Sequence, residues 1–134
     1  MLDCIGPNGS IIVYYAPFER GRLRKLAAAF PQPATRLNDI ADRLWDQLDI
    51  FKKHYRHYRF GKSNSLKSVL PVVVPELIYA ALDVQNGTEV QVVWEQMVVE
   101  EDSAEKERLS RHLLAYCALD TFAMVRMHEV LLGL

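Results

Sequence analysis

The chain has no apolar run long enough to cross a membrane, and its first ten residues, MLDCIGPNGS, lack the apolar core of a secretory leader. Asp3 and the Gly6-Pro7-Asn8-Gly9 turn interrupt that segment. Cysteine is scarce: Cys4 and Cys117 lie far apart, without metal-ligand spacing. Cys117 falls among Leu and Ala in a helical pattern, where a buried, reduced thiol is expected. A cytoplasmic compartment fits this usage. No charge of one sign dominates, since 16 Lys and Arg face 17 Asp and Glu for a net charge of −1. Composition therefore announces neither a nucleic-acid nor a membrane partner, and any electropositive surface must come from local clustering. Repeats and low-complexity segments are absent.

Several catalytic signatures are missing as well. No Gly-x-Ser-x-Gly elbow supports a serine nucleophile. Gly61-Lys62-Ser63 looks like the end of a phosphate-binding loop, but Arg56 stands where that pattern needs its first glycine. His54 and His57 are three apart with no Cys or third His at metal spacing, which argues against structural zinc.

What remains is a 134-residue chain, half of it hydrophobic, long enough to form a single domain over residues 1–134 with a real core. Ser10–Tyr15 reads as a buried strand after a Pro-Asn-Gly turn. Pro17 ends it, and Phe18–Phe30 has helical spacing with Phe18, Leu23, Leu26 and Phe30 near one face. Pro31 and Pro33 stop that helix. A second amphipathic helix is predicted over Thr35–Leu44, with Leu37, Ile40, Ala41 and Leu44 on its apolar side. Leu48–Tyr58 is ambiguous by periodicity, with a short strand or turn near Asp46. Gly61–Ser65 reads as loop, and Leu66–Leu82, interrupted by Pro71 and Pro75, as two short helices. Asn86-Gly87 predicts a turn, Glu89–Val98 a helix, and Ala104–Leu132 a long helix opened by an Asp102/Glu105 capping box. The class is α/β, helix-rich with few strands. Because the first strand follows almost nothing, the chain reads as the C-terminal part of a longer protein.

Two acids stand out. The last helix carries a seam of Leu113, Cys117, Asp120, Met124, Met127 and Leu131, in which Asp120 is the one carboxylate. A carboxylate buried there needs a hydrogen bond, a charged partner or a cation. Tyr116, one turn earlier, can present its hydroxyl beside it. Glu19 follows the first strand directly, where open α/β sheets bind ligands, although the first turn of a helix favours Glu for its dipole alone. Carboxylates on different elements are what magnesium and manganese sites for phosphoryl transfer require.

In order and spacing these features resemble the DnaQ-like (DEDD, tyrosine-type) 3′–5′ exonucleases of the RNase H-like clan. Val13-Tyr14-Tyr15-Ala16-Pro17-Phe18-Glu19 is similar to that family's second motif, and Tyr116-Cys117-Ala118-Leu119-Asp120 to its third. Arg43-Leu44-Trp45-Asp46 resembles the segment beginning the next strand. Ser65–Pro71, Glu76-Leu77-Ile78-Tyr79, Gln85-Asn86-Gly87 and Tyr116–Thr121 resemble one bacterial branch, an uncharacterised domain family at the C-terminal end of larger proteins. The resemblance implies an RNase H-like fold, of which this chain holds the C-terminal portion. It also implies Glu19 and Asp120 as Mg2+ or Mn2+ ligands, Tyr116 orienting the attacking water, and two-metal hydrolysis of a phosphodiester at a 3′ end. Position 19 holds Glu where the family pattern has Asp, and Ala16 or its neighbour replaces Asn. The first motif, Asp-x-Glu on a strand, is expected upstream of residue 1.

Lys52–Lys67 (KKHYRHYRFGKSNSLK) contains six basic residues, with Tyr55, Tyr58 and Phe60 interleaved and no acid. Such a segment suits single-stranded nucleic acid through Lys53, Arg56, Arg59, Lys62 and Lys67, or it forms a solvated basic loop whose tyrosines pack on the core. Rival readings are a non-catalytic interaction module retaining the fold, and a structural domain in which Asp120 pairs with an Arg. An open sheet edge would further predict self-association.

Overall fold

The computed structural model describes residues 2–77 and 87–133. The chain divides into two compact units, Met1–Val69 and Leu70–Leu134. It is helix-rich with one small parallel sheet, an α/β class in the coarse sense. Among the described residues no helix is long and apolar enough to cross a membrane.

In the first unit, Gly9 takes φ +90°, a conformation that suits glycine, and turns the chain into β1 (Ile11–Val13). β1 pairs in parallel with β2 (Leu44–Asp46), in the register Ile11 to Leu44, Ile12 to Trp45 and Val13 to Asp46. Parallel neighbours need a crossover, and α1 (Ala16–Ala29) and α2 (Ala34–Asp42) supply it. Pro17 sits in the first turn of α1, where its missing N–H costs nothing.

α1 turns Ala16 and Ala27 inward and leaves Phe18, Leu26 and Phe30 exposed, so the face expected from spacing is not its packed face. Small side chains allow α1 to lie close against α2, which buries Leu37, Ile40 and Ala41. α2 ends at Asp42, and Leu44 belongs to β2 rather than to that helix, because the Arg43 carbonyl accepts the Ile11 N–H and commits the chain to the sheet. Arg43, just past the end of α2, donates to the Gly6 and Gly9 carbonyls at 2.9 Å each, and Arg36, within α2, donates to those of Ile5 and Gly6. The glycine turn before β1 is thereby held to the helix behind it.

The ambiguous segment resolves into α3 (Leu48–Lys53) and a tight turn at Tyr58–Phe60. Phe51, fully buried, meets Tyr14, Tyr55 and Phe60 at ring-centroid separations of 6.0–6.2 Å. Tyr14 also donates its hydroxyl to the Asn64 carbonyl at 2.6 Å. Burial and the nearby Asp46 charge raise its pKa well above the ordinary tyrosine range.

One side chain fixes the corner where β1 becomes α1. Tyr15 has φ 75° and ψ 65°, and is the non-glycine residue with positive φ among those described. Such a conformation costs about 1 kcal/mol or more. The Asp46 carboxylate offsets it: Oδ1 accepts the Tyr15 N–H at 2.9 Å and the Leu48 N–H at 3.1 Å, while Oδ2 accepts the Ala16 N–H at 2.9 Å.

α4 (Leu66–Val73) spans the boundary between the units, accommodates Pro71 and ends before Pro75. The second of the short helices predicted for this stretch, and the motif residues Ile78, Tyr79, Gln85 and Asn86, lie outside the described residues. In the second unit α5 (Gly87–Val99) packs on α6 (Ser103–Leu132). Asp102 caps α6 by accepting the Ala104 N–H at 3.0 Å. The return bond of a capping box does not form, because the Asp102 N–H goes to Glu100 and Glu105 binds Arg108. α6 buries Leu109, Tyr116, Ala123 and Met127. This stripe is rotated from the expected seam, and Cys117 is exposed, as is Cys4. The rotation brings the Tyr116 ring inward in place of the smaller thiol.

Asp46→Asn replaces an acceptor oxygen by an NH2 group that must face a backbone N–H. Charge-assisted bonds of this kind contribute roughly 1.5–3 kcal/mol each, so the variant is expected to lose about 2 kcal/mol in chemical denaturation and to speed amide exchange at Ala16 and Leu48. Unchanged stability and exchange would show that the corner holds itself.

Candidate functional site

In the first unit, a cleft of about 600 Å³ opens where both parallel strands end, lined by Tyr15, Arg20, Trp45, Asp46, Asp49 and Lys52 among others. The carboxyl ends of parallel strands are where α/β sheets receive ligands. Two of its acids are engaged: Asp46 holds the strand–helix corner, and Asp49 binds Lys53 at 2.7 Å. Lys52 lies 5.7 Å from the Tyr15 ring centroid. Arg20 is on the cleft wall, with its Nε donating to the Ala41 carbonyl at 3.1 Å.

Glu19 stands in the first turn of α1, half-buried, and is not part of that wall. Burial raises its carboxyl pKa, and the Arg22 guanidinium opposes the rise. The acid is thus held where its charged form is disfavoured, as an ion-binding carboxylate often is.

In the second unit, Tyr116 and Asp120 are one turn apart on α6, Tyr116 buried and Asp120 half-buried. The Tyr116 hydroxyl donates to the Asp120 carboxylate. Its pKa is pushed up to about 12, first by burial, then by the charge and the bond of Asp120, with Cys117 and Glu89 adding to the rise. The phenol therefore stays protonated at neutral pH and orients the carboxylate it touches.

Carboxylate oxygens are the donors that Mg2+ and Mn2+ prefer, so Glu19 and Asp120 suit such ions by chemistry. Among the described residues, however, no group of three or more His, Cys, Asp or Glu forms a metal cluster. The set falls short of the several acids that a two-metal clamp requires, and no hydrolytic step follows from these residues alone.

The five basic residues singled out in the sequence have different surroundings. Lys53 is engaged by Asp49, and Lys67 is half-buried in the first turn of α4. Arg56, Arg59 and Lys62 are exposed around the Tyr58–Phe60 turn. Tyr55 and Phe60 pack against Phe51, while Tyr58 is 80 % exposed. Of the two tyrosines expected to pack on the core, Tyr55 does and Tyr58 does not. Sequence reasoning missed Asp46 as the central acid of this unit. Its signal was present: an acid closing an apolar strand beside a strand–turn–helix corner.

Two pH effects follow. Ultraviolet titration is expected to show Tyr116 ionising near 12, and Asp120→Asn should lower that value without restoring the ordinary one, because burial persists. A tyrosine signal unchanged by the substitution would separate the two groups. A raised carboxyl pKa favours the protonated form, so Glu19 gives its best stability below the ordinary carboxylate range and loses it as pH rises through the folded value. Glu19→Gln should therefore raise the melting temperature at pH 7, by less than about 1 kcal/mol of stability at this half-exposed site. The gain should vanish under acid. A lowered melting temperature at pH 7 would mean that an attractive partner holds the charge.

Residues 1–65 match the model of a domain of unknown function (DUF2779). The matched segment contains the β1–α1 corner, Glu19 and Asp46, and stops before α5 and α6. No curated protein and no solved structure matches the chain.

Proposed function

We propose that the chain is part of a metal-dependent nuclease-family domain with an RNase H-like fold, acting on nucleic-acid phosphodiesters in the manner of a 3′–5′ exonuclease. The observation that carries this reading is the Tyr116–Asp120 hydrogen bond on the buried side of α6. A neutral phenol anchored on a carboxylate is the arrangement a Tyr-x-x-x-Asp motif needs. The Asp is presented as an oxygen ligand, and the Tyr keeps a proton for positioning water or phosphate. Glu19, destabilised as an anion by its burial, would be relieved by a divalent cation. When bound, Mg2+ or Mn2+ would polarise the phosphodiester and activate water. This chain's own contribution is to hold carboxylate oxygens and to fix the Tyr116 proton.

A non-catalytic nucleic-acid-binding module is the second reading, favoured by the exposed Arg56, Arg59 and Lys62 beside exposed Tyr58. The test is Mn2+-dependent shortening of a labelled single strand by the chain extended upstream to include the Asp-x-Glu strand that the resemblance implies. Loss of products with Asp120→Asn, and a fall of roughly 10–100-fold with Tyr116→Phe, support the nuclease. A folded protein that binds the strand and never shortens it overturns catalysis in favour of the binding module.

A further inference from the structure

The Tyr58–Phe60 turn and its flanks bring a base-stacking surface and a phosphate seat side by side. Tyr58 is 80 % exposed, although it is anchored on two sides. The Arg59 Nε donates to its hydroxyl at 3.1 Å, and the guanidinium carbon lies 5.6 Å from its ring centroid. The His57 ring lies 4.7 Å away, tilted by 31°. His57 is itself fixed, because its Nδ1 accepts the Arg59 N–H at 3.2 Å, and this places the proton of the neutral ring on Nε2. An aromatic ring held open to solvent at this level has lost rotamer freedom with no burial in return. That pre-organisation suits a partner with a flat face.

Next to it, a hollow of about 250 Å³ is lined by Arg56, His57, Phe60, Gly61, Lys62 and Asn64. Arg56 uses one terminal nitrogen on the Lys52 carbonyl at 3.1 Å, which leaves further guanidinium donors. No acid lies between Lys52 and Lys67 in the sequence, so none within this segment neutralises Arg56 or Lys62. Gly61, at φ +63°, has open space where a side chain would stand. A cationic, side-chain-free rim beside an exposed ring matches a nucleotide's phosphate and base in adjacent positions.

We infer that Tyr58 stacks a nucleobase of single-stranded nucleic acid while Arg56 and Lys62 seat the neighbouring phosphate, forming an anchor separate from the acids of the proposed chemistry. The inference rests on the nucleic-acid reading above and narrows it. Of the five basic residues, Arg56 and Lys62 hold phosphate, Arg59 positions the ring, Lys53 serves Asp49, and Lys67, half-buried in α4, takes no part.

The test is fluorescence anisotropy of a short labelled oligothymidylate without divalent metal, over a range of salt. Tyr58→Ala is expected to weaken binding about tenfold with the salt slope unchanged, as for one lost stacked base, and Tyr58→Phe to keep most of the affinity. Arg56→Ala with Lys62→Ala should flatten the salt slope by about one phosphate contact. On an abasic strand the Tyr58→Ala effect should disappear. Wild-type affinity in Tyr58→Ala, or an unchanged slope in the double variant, overturns the anchor, as does failure of the wild type to bind. Asp120→Asn separates the two ideas: binding retained with cleavage lost supports both. If the wild type never cleaves yet Tyr58→Ala still weakens binding, the anchor stands and the nuclease reading falls.

Discussion

The Asp46 carboxylate ties three backbone N–H groups from two segments, at Tyr15, Ala16 and Leu48, and the first unit is built around that knot. Val13 and Asp46 are register partners, so the acid sits where β1 must turn into α1. Without an anion there, a tyrosine in the left-handed region would be a net cost at the helix entrance, and the first amides of α1 and α3 would lack an acceptor. With it, the direction of α1 is set, and with it the position of Glu19 in the first turn. The same interaction explains why Asp46 belongs to the framework: its oxygens are already spent on the backbone.

Around this corner, charge and packing divide the work. Arg36 and Arg43 clamp the turn ahead of β1, and Phe51 with Tyr14, Tyr55 and Phe60 fills the interior behind it. What remains for the surface is the exposed basic turn with Tyr58. The second unit follows a different logic. There a long helix carries a buried stripe, and the polar group inside it, the Tyr116 hydroxyl, is satisfied by Asp120 one turn on. Asp120 lies half-buried beside that stripe, so the pair stands at its edge, with the tyrosine ring packed and the carboxylate reaching solvent.

Much of this was legible in the sequence. The β-branched run after a glycine turn marked β1, Pro31 and Pro33 marked the end of α1, and the spacing of Leu37, Ile40 and Ala41 marked the buried face of α2. Tyr116 and Asp120 were recognisable as a pair because i and i+4 positions meet on a helix. Other features were hidden for physical reasons. Phe18, Leu26 and Phe30 share helical spacing, yet α1 packs through alanines, because close approach to α2 favours small side chains over large ones. The phase of α6 was misjudged at Cys117, since a seam of similar hydrophobicity can be rotated by one residue and only packing selects among the rotations. Nothing local announces that Tyr15 adopts positive φ. The strain is imposed by the Asp46 bonds, formed across thirty residues of intervening chain.

We propose that Asp120 acts as a metal ligand held in place by Tyr116. Titrating the protein with Mn2+ while following α6 amide resonances by NMR tests it directly. Paramagnetic broadening centred on Tyr116 and Asp120, and abolished by Asp120→Asn, is the expected result. Sharp resonances at both residues, with broadening confined to the acids Glu100, Glu101 and Asp102 ahead of α6, would contradict it.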